Sequence, residues 1–158
     1  MKVQEELVLF LKEKNLKIAT AESCTGGLLS QMITDVAGAS AVFECGVCSY
    51  SNPIKMSLLG VKKETIDQYT EVSVQTAEEM AVGVKTLAGA DLAVSTTGFA
   101  GPNGGTEENP IGTVCMGFAL PNGTVTEKKN FNTNGNSGRD AIRRSCAEYC
   151  LKRIMELL

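Results

Sequence analysis

The stretch "LKIATAESCTGGLLSQMITDV", residues 16–36, joins a short apolar run to a segment of helical spacing through two adjacent glycines. Residues 16–22 read as a short buried strand. From residue 25 the pattern turns helical, with Leu28, Met32 and Val36 four apart. A strand handing over to a helix in this way is half of a βα unit, and the flanking chain continues the alternation. Residues 3–14 read as a helix, 42–50 ("VFECGVCSY") as a strand, and Pro53 suits the first turn of a short helix. A second short helix is expected over 63–69 and a longer one over 74–89. In the longer helix Thr76 and Glu79 are spaced for a capping box, and Gly89 is placed to end it. Residues 91–98 form an apolar strand that opens into a glycine-rich loop. "GTVCMGFAL" (112–120) and "TVTEKKNFN" (124–132) then flank "PNG", a hairpin with Asn-Gly at its tip. The last helix is expected from about Ser137, with Ile142, Cys146, Cys150, Ile154 and Leu157 along one face. Early alternation closed by a hairpin makes the fold class α/β: a three-layer α/β/α sandwich whose sheet is mostly parallel with one antiparallel strand.

The totals fit one domain over residues 1–158. Hydrophobic residues at 43% and charged residues at 21% are ordinary globular values. No apolar run approaches the ~18 residues of a membrane span. The opening "MKVQEELVLFLKEKNLK" reads as an amphipathic helix rather than a signal peptide. A cytoplasmic protein without a membrane partner is expected. Net charge is −3, the 15 basic residues are scattered and Trp is absent, which argues against a nucleic-acid partner. A small anionic ligand in a local site stays open.

Six cysteines invite a metal or redox reading. Cys45 and Cys48 lie three apart in a strand and so point to opposite faces, where they cannot share one metal. Cys146 and Cys150 fall on the apolar stripe of the last helix. With no histidine in the chain, buried cysteines in a reducing compartment are the simpler expectation, with no metal and no cofactor.

In open α/β sheets, ligands bind beyond the carboxyl ends of the strands. Three unusual segments fall there: "ESCTGG" (22–27), "SYSNPIK" (49–55) and "TGFAGPNGGTEENPIGT" (97–113). In the first, Ser23, Cys24 and Thr25 precede a helix, and Gly26 and Gly27 permit close backbone approach. That arrangement can hold an oxyanion or a phosphate, or it can simply cap the helix. The second supplies Tyr50, Asn52 and Lys55, and a lone lysine is often just solvated. Without histidine, however, Ser–His and Cys–His pairs are excluded, so lysine leads as the base of a side-chain nucleophile. The third is not a P-loop, and its glycines alone could be turn residues.

Together "TAESCTGG", "YSNPIK", "GFAGPNGGTEENPIGTV" and "GRDAIRR" closely resemble the CinA C-terminal domain family, from about Leu7 to Leu151. That family includes bacterial amidohydrolases that convert nicotinamide mononucleotide to nicotinate mononucleotide and ammonia. The resemblance implies a stand-alone form of the domain, a mixed five-stranded sheet, a small-molecule pyridine nucleotide as partner, no cofactor and a homo-oligomer. It places a serine nucleophile at Ser23 and its helpers at Tyr50 and Lys55. Substrate contacts are expected among Glu22, Thr25, Gly26, Gly27, Asn52, Gly98, Gly101, Gly104, Gly105, Thr113, Arg139 and Arg143. Glu22 could instead cap the turn, and the two arginines could be solvated. Departures from the family pattern, at Asn103 and at Pro53-Ile54, avoid the three proposed catalytic side chains. A non-catalytic nucleotide-binding or regulatory module is the alternative.

Overall fold

The computed structural model describes residues 1–133 and 138–158. In chain order it contains α1 (Val3–Lys14), β1 (Ile18–Glu22), α2 (Leu28–Thr34), β2 (Phe43–Cys48), α3 (Asn52–Leu59), α4 (Lys63–Tyr69), α5 (Val74–Ala88), β3 (Leu92–Gly98), β4 (Thr113–Leu120), β5 (Gly123–Asn130) and α6 (Arg139–Leu157). The expected start of the last helix at Ser137 lies outside the described residues.

The five strands lie in the order β2-β1-β3-β4-β5. β1 pairs parallel with both β2 and β3, while β4 runs antiparallel to β3 and β5. Four strands therefore point one way and β4 alone points the other, as the alternation followed by a hairpin implies. β1 is an interior strand between β2 and β3, and all five of its residues are buried. Its side chains alternate between two different cores. Ile18 faces Leu7, Leu11, Leu29, Ile33, Ile142 and Leu151 of α1, α2 and α6. Ala19 and Ala21 face Leu59, Met80, Ala81 and Val84 of α3 and α5. Helices thus cover both faces, giving the three layers. Each large aliphatic side chain sealed in these cores contributes about 1.5–3 kcal/mol.

The second face is built for close approach. Ala19, Ala21, Ala93 and Ala119 leave room for α5 to lie across the sheet. At Gly117 an added Cβ would overlap the Ala77 carbonyl, and at Gly83 it would overlap the Leu59 carbonyl. The Gly83 contact seats α3 directly on α5 at Leu59, the last residue of α3.

Local details differ from the expectations in three places. Ser73, not Thr76, caps α5, accepting from the Thr76 N–H at 3.1 Å. Serine stands one residue ahead of the valine that starts the helix, so the Thr76–Glu79 spacing is offset by a turn. The hairpin tip is Pro121–Asn122, because Leu120 pairs with Gly123. Along α2 the buried residues are Leu29, Met32 and Ile33; the helix ends at Thr34, leaving Val36 beyond it. The α6 stripe holds, with Ile142, Cys146, Cys150 and Ile154 buried and Leu157 packed against the same core.

Candidate active site

Level strand ends assemble the site. Glu22 at the end of β1 sits in register with Cys48 of β2 and Thr96 of β3. The ladder runs one residue further on each side: Ser23 N–H donates to the Thr96 carbonyl (3.0 Å) and Ser49 N–H to the Glu22 carbonyl (2.8 Å). Ser23 and Tyr50 therefore leave neighbouring strands at the same height. Ser51 caps α3, accepting from the Ile54 N–H, with Pro53 in the first turn. That start turns Lys55 back over the strand ends.

Lys55 is 1% exposed. Its Nζ donates to Ser23 Oγ (3.1 Å) and to the main-chain carbonyl of Tyr50 (3.1 Å). Ser23 Oγ lies 3.5 Å from the same carbonyl and donates to it. Burial lowers the Lys55 ammonium pKa, while the Glu71 carboxylate and Cys24 act in the raising direction. A serine hydroxyl in contact with a lysine depressed in this way can act as a nucleophile–base pair without a histidine.

Cys24 has the opposite character. Burial pushes its thiol far above the usual range, and Cys146 adds to the rise. Its backbone serves the site while its side chain packs in the core. Cys115, Cys146 and Cys150 are buried as expected. Cys45 is half-buried and Cys48 exposed, on opposite sides of β2, which is an edge strand.

Tyr50 enters through its backbone. Its ring is 62% exposed, and its hydroxyl accepts from Arg139 Nη2 at 3.2 Å rather than meeting Ser23 or Lys55. Arg139 and Arg143 of α6 are neither free nor merely solvated. Arg139 also donates to the Gly101 carbonyl (2.8 Å), while Arg143 donates to the carbonyls of Cys24 (3.2 Å) and Thr25 (2.7 Å). The head of α6 thus ties the three loops together. Arg143 and Arg144 also line a cleft of about 370 Å³ beside Gly26 and Gly27.

Ser23 is not the cap of α2. Gly27 holds that position in the left-handed region, at φ 99°, and Gly26 is left-handed at φ 59°, so the turn requires residues without a Cβ. Glu22 is fully buried, with both carboxylate oxygens occupied by donors of the turn and the helix, which removes it from direct ligand contact. Thr25 is fully buried too, its hydroxyl shared between Glu22 and Thr96. Asn52 heads α3 and is half-buried. Gly98 ends β3 against the first residues of β4, and Gly104 and Gly105 lie further along the loop beside Phe99 and Ile111. Thr113 opens β4, buried, and takes a bond from Asn130 (3.3 Å) on the side away from Ser23. Glu71 and Thr96 escaped the sequence reading, since a lone glutamate in a turn and a threonine inside a strand carry no local signal.

A model of the CinA C-terminal domain matches residues 1–158. The chain belongs to that family. Among CinA relatives, the nicotinamide-nucleotide amidohydrolase PncC of Escherichia coli K12 is 43% identical over 157 residues, covering 99% of this chain and 93% of that protein. PncC of Enterobacter agglomerans is 48% identical over 148 residues, covering 93% and 88%. A longer relative from Caldanaerobacter subterraneus subsp. tengcongensis, named for competence-damage induction, is 50% identical over 141 residues. That match takes in 89% of this chain but only 33% of the relative, so the chain spans about a third of its length. Among solved structures, the competence/damage inducible protein CihA from Agrobacterium tumefaciens superposes with a TM-score of 0.92 at 36% identity, covering 99% of this chain and 96% of that one. A CinA superfamily protein from Escherichia coli gives 0.92 at 28% identity, covering 99% and 88%. Among the described residues no helix is long and apolar enough to cross a membrane.

Proposed function

We propose that this CinA domain is a nicotinamide-nucleotide amidohydrolase that uses Ser23 as nucleophile and Lys55 as base. The observation that carries the reading is the buried 3.1 Å contact between Lys55 Nζ and Ser23 Oγ. The PncC names of relatives that match nearly the whole chain supply the substrate class.

Neutral Lys55 takes the Ser23 proton along that contact as Oγ attacks the carboxamide carbon of nicotinamide mononucleotide. The resulting ammonium hands the proton to the departing nitrogen, and ammonia leaves. Water then attacks the acyl-serine, giving up its proton to Lys55, which returns it to Ser23 Oγ as the ester bond breaks and nicotinate mononucleotide is released. Tyr50 assists through its carbonyl, which anchors the ammonium and orients the serine hydroxyl. In this reading the backbone N–H groups of the Ser23 turn donate to the developing oxyanion. Arg143 and Arg144, set against the single carboxylate of Asp140, leave the adjoining cleft with a net positive charge suited to a nucleotide phosphate.

Ammonia release from nicotinamide mononucleotide tests the reading. Ser23→Ala and Lys55→Ala should each lower kcat by about 10³-fold or more, and Cys24→Ala should retain most of it. Absence of turnover by the unmodified chain at any substrate concentration would end the amidohydrolase reading. Full activity in Ser23→Ala would reassign the nucleophile.

A further inference from the structure

Glu22 is a carboxylate with no exposure to solvent, directly before the serine. Oε1 accepts from the Thr25 hydroxyl (2.7 Å) and the Leu29 N–H (2.8 Å). Oε2 accepts from the Ser30 N–H (3.0 Å) and the Ser30 hydroxyl (2.8 Å). A carboxylate only accepts, so these bonds fix the proton directions of the surrounding hydroxyls. Thr25 spends its proton on Glu22, and Thr96 must therefore donate across the 2.8 Å contact to Thr25. Ser30 likewise spends its proton on Glu22, and Thr20 donates to Ser30 at 2.8 Å. One side chain thereby connects β1, β3, the turn and the first N–H groups of α2.

The consequence falls on Ser23. The chain from Glu22 to Ser30 closes into a ring, because the residue that ends β1 caps the helix that follows the turn. Arg143 holds the same turn from the other side by its carbonyls at Cys24 and Thr25. With α2 capped from inside and the carbonyls pinned, the N–H groups of Thr25 and Gly27 have no protein partner among the described residues. They remain the donors that the turn can offer to an oxyanion.

We propose that Glu22 is a positioning residue for the Ser23 nucleophile, holding the turn through its four hydrogen bonds and touching no substrate. This inference rests on the reading of Ser23 as nucleophile given above.

Glu22→Gln keeps the shape but turns an NH₂ group toward donors, so at least one bond is lost to a donor–donor contact. Ser30→Ala removes one bond alone and serves as a gentler second variant. Steady-state hydrolysis of nicotinamide mononucleotide, corrected for the folded fraction from circular dichroism, should show kcat down about 10–100-fold in Glu22→Gln, the scale of a small misplacement of a reacting group. Ser30→Ala should fall less, KM should stay within about twofold in both, and the acid limb set by Lys55 should not move. Labelling of Ser23 by a small sulfonyl fluoride should slow in parallel. A raised KM with kcat preserved would make Glu22 a ligand residue and overturn the proposal. Equal kcat and equal labelling per folded molecule would reduce it to an ordinary helix cap. Should the unmodified chain label at Ser23 without hydrolysing the nucleotide, the amidohydrolase reading fails alone, and the labelling rates still decide the role of Glu22. If Ser23 neither labels nor turns over, both fall.

Discussion

Ser23 and Cys24 stand side by side, and burial separates their chemistry. The thiol is the better nucleophile in water, but reaction requires the thiolate, and burial holds the Cys24 proton on. Ser23 needs a base within reach, and Lys55 is the buried amine that meets it. For a base, the useful form is neutral, and burial lowers the lysine pKa from its ordinary 10.5. The acid limb of kcat/KM should therefore rise with pH through a value below that of a free lysine. Glu71 opposes this, since its charge favours the ammonium. Glu71→Gln removes that charge, so the lysine pKa falls further and the acid limb moves to lower pH, with little change in the plateau. A pH–rate profile of both proteins checks the sign, and a shift to higher pH would show that another group controls the limb. The pairing of serine and lysine was legible because the chain lacks histidine and because "YSNPIK" provides a lysine at a strand end. That the Tyr50 carbonyl, and not its hydroxyl, faces Lys55 and Ser23 was not legible, since nothing in a residue type tells which of its atoms faces a neighbour.

Among elements, α3 carries the base and α5 decides where α3 sits. The two helices meet at Gly83, where an added Cβ would overlap the Leu59 carbonyl near the end of α3. Backbone cannot yield as a flexible side chain can, so Gly83→Ala must push the helices apart. Overpacking of this kind costs about 1–3 kcal/mol, and for a chain of this size each kcal/mol lowers Tm by about 2–4 °C. Since Lys55 moves with α3, kcat should fall by more than the loss of folded protein explains. Thermal melting with ammonia release on the same samples tests this, and a destabilised variant with full kcat would show that α3 adjusts independently of its crossing. Elements of this kind were readable where a helical stripe stood out, as in α1 and α6, or a continuous run buried on both faces, as in β1 and β3. Their ends were less readable, because competing caps stand close together. Ser73 and Thr76 both suit a helix start, but Ser73 accepts from the Thr76 N–H while the Thr76 hydroxyl is spent on the Thr70 carbonyl. The arginine pins of α6 were unreadable for a different reason: Arg143 meets Cys24 across 119 positions of sequence. Partners that distant follow from topology and leave no local trace.

For the molecule as a whole, the site is a cost built into the core. Lys55 is among the largest side chains fully buried here, and it occupies a place that a hydrocarbon would fill more comfortably. Its pKa is lowered on folding, so the unfolded chain binds more protons between the folded value and 10.5. By linkage, stability rises with pH across that window, and the penalty is fully present below it. Lys55→Met keeps a chain of similar length without the amine. It should abolish hydrolysis while raising Tm at pH 7, and its advantage over the unmodified protein should shrink as pH climbs toward 10.5. The hydrogen bonds from Lys55 to Ser23 and Tyr50 act against this gain, but Ser23 keeps its own contact with the Tyr50 carbonyl when they are gone. Melting curves at several pH values under reducing conditions decide between the two effects. A Met variant that melts lower by the same amount at every pH would mean that the bonds outweigh the burial, and that Lys55 supports the fold as well as the chemistry. A variant that melts higher at pH 7 and converges at high pH would place the amine among groups held against stability for the sake of function.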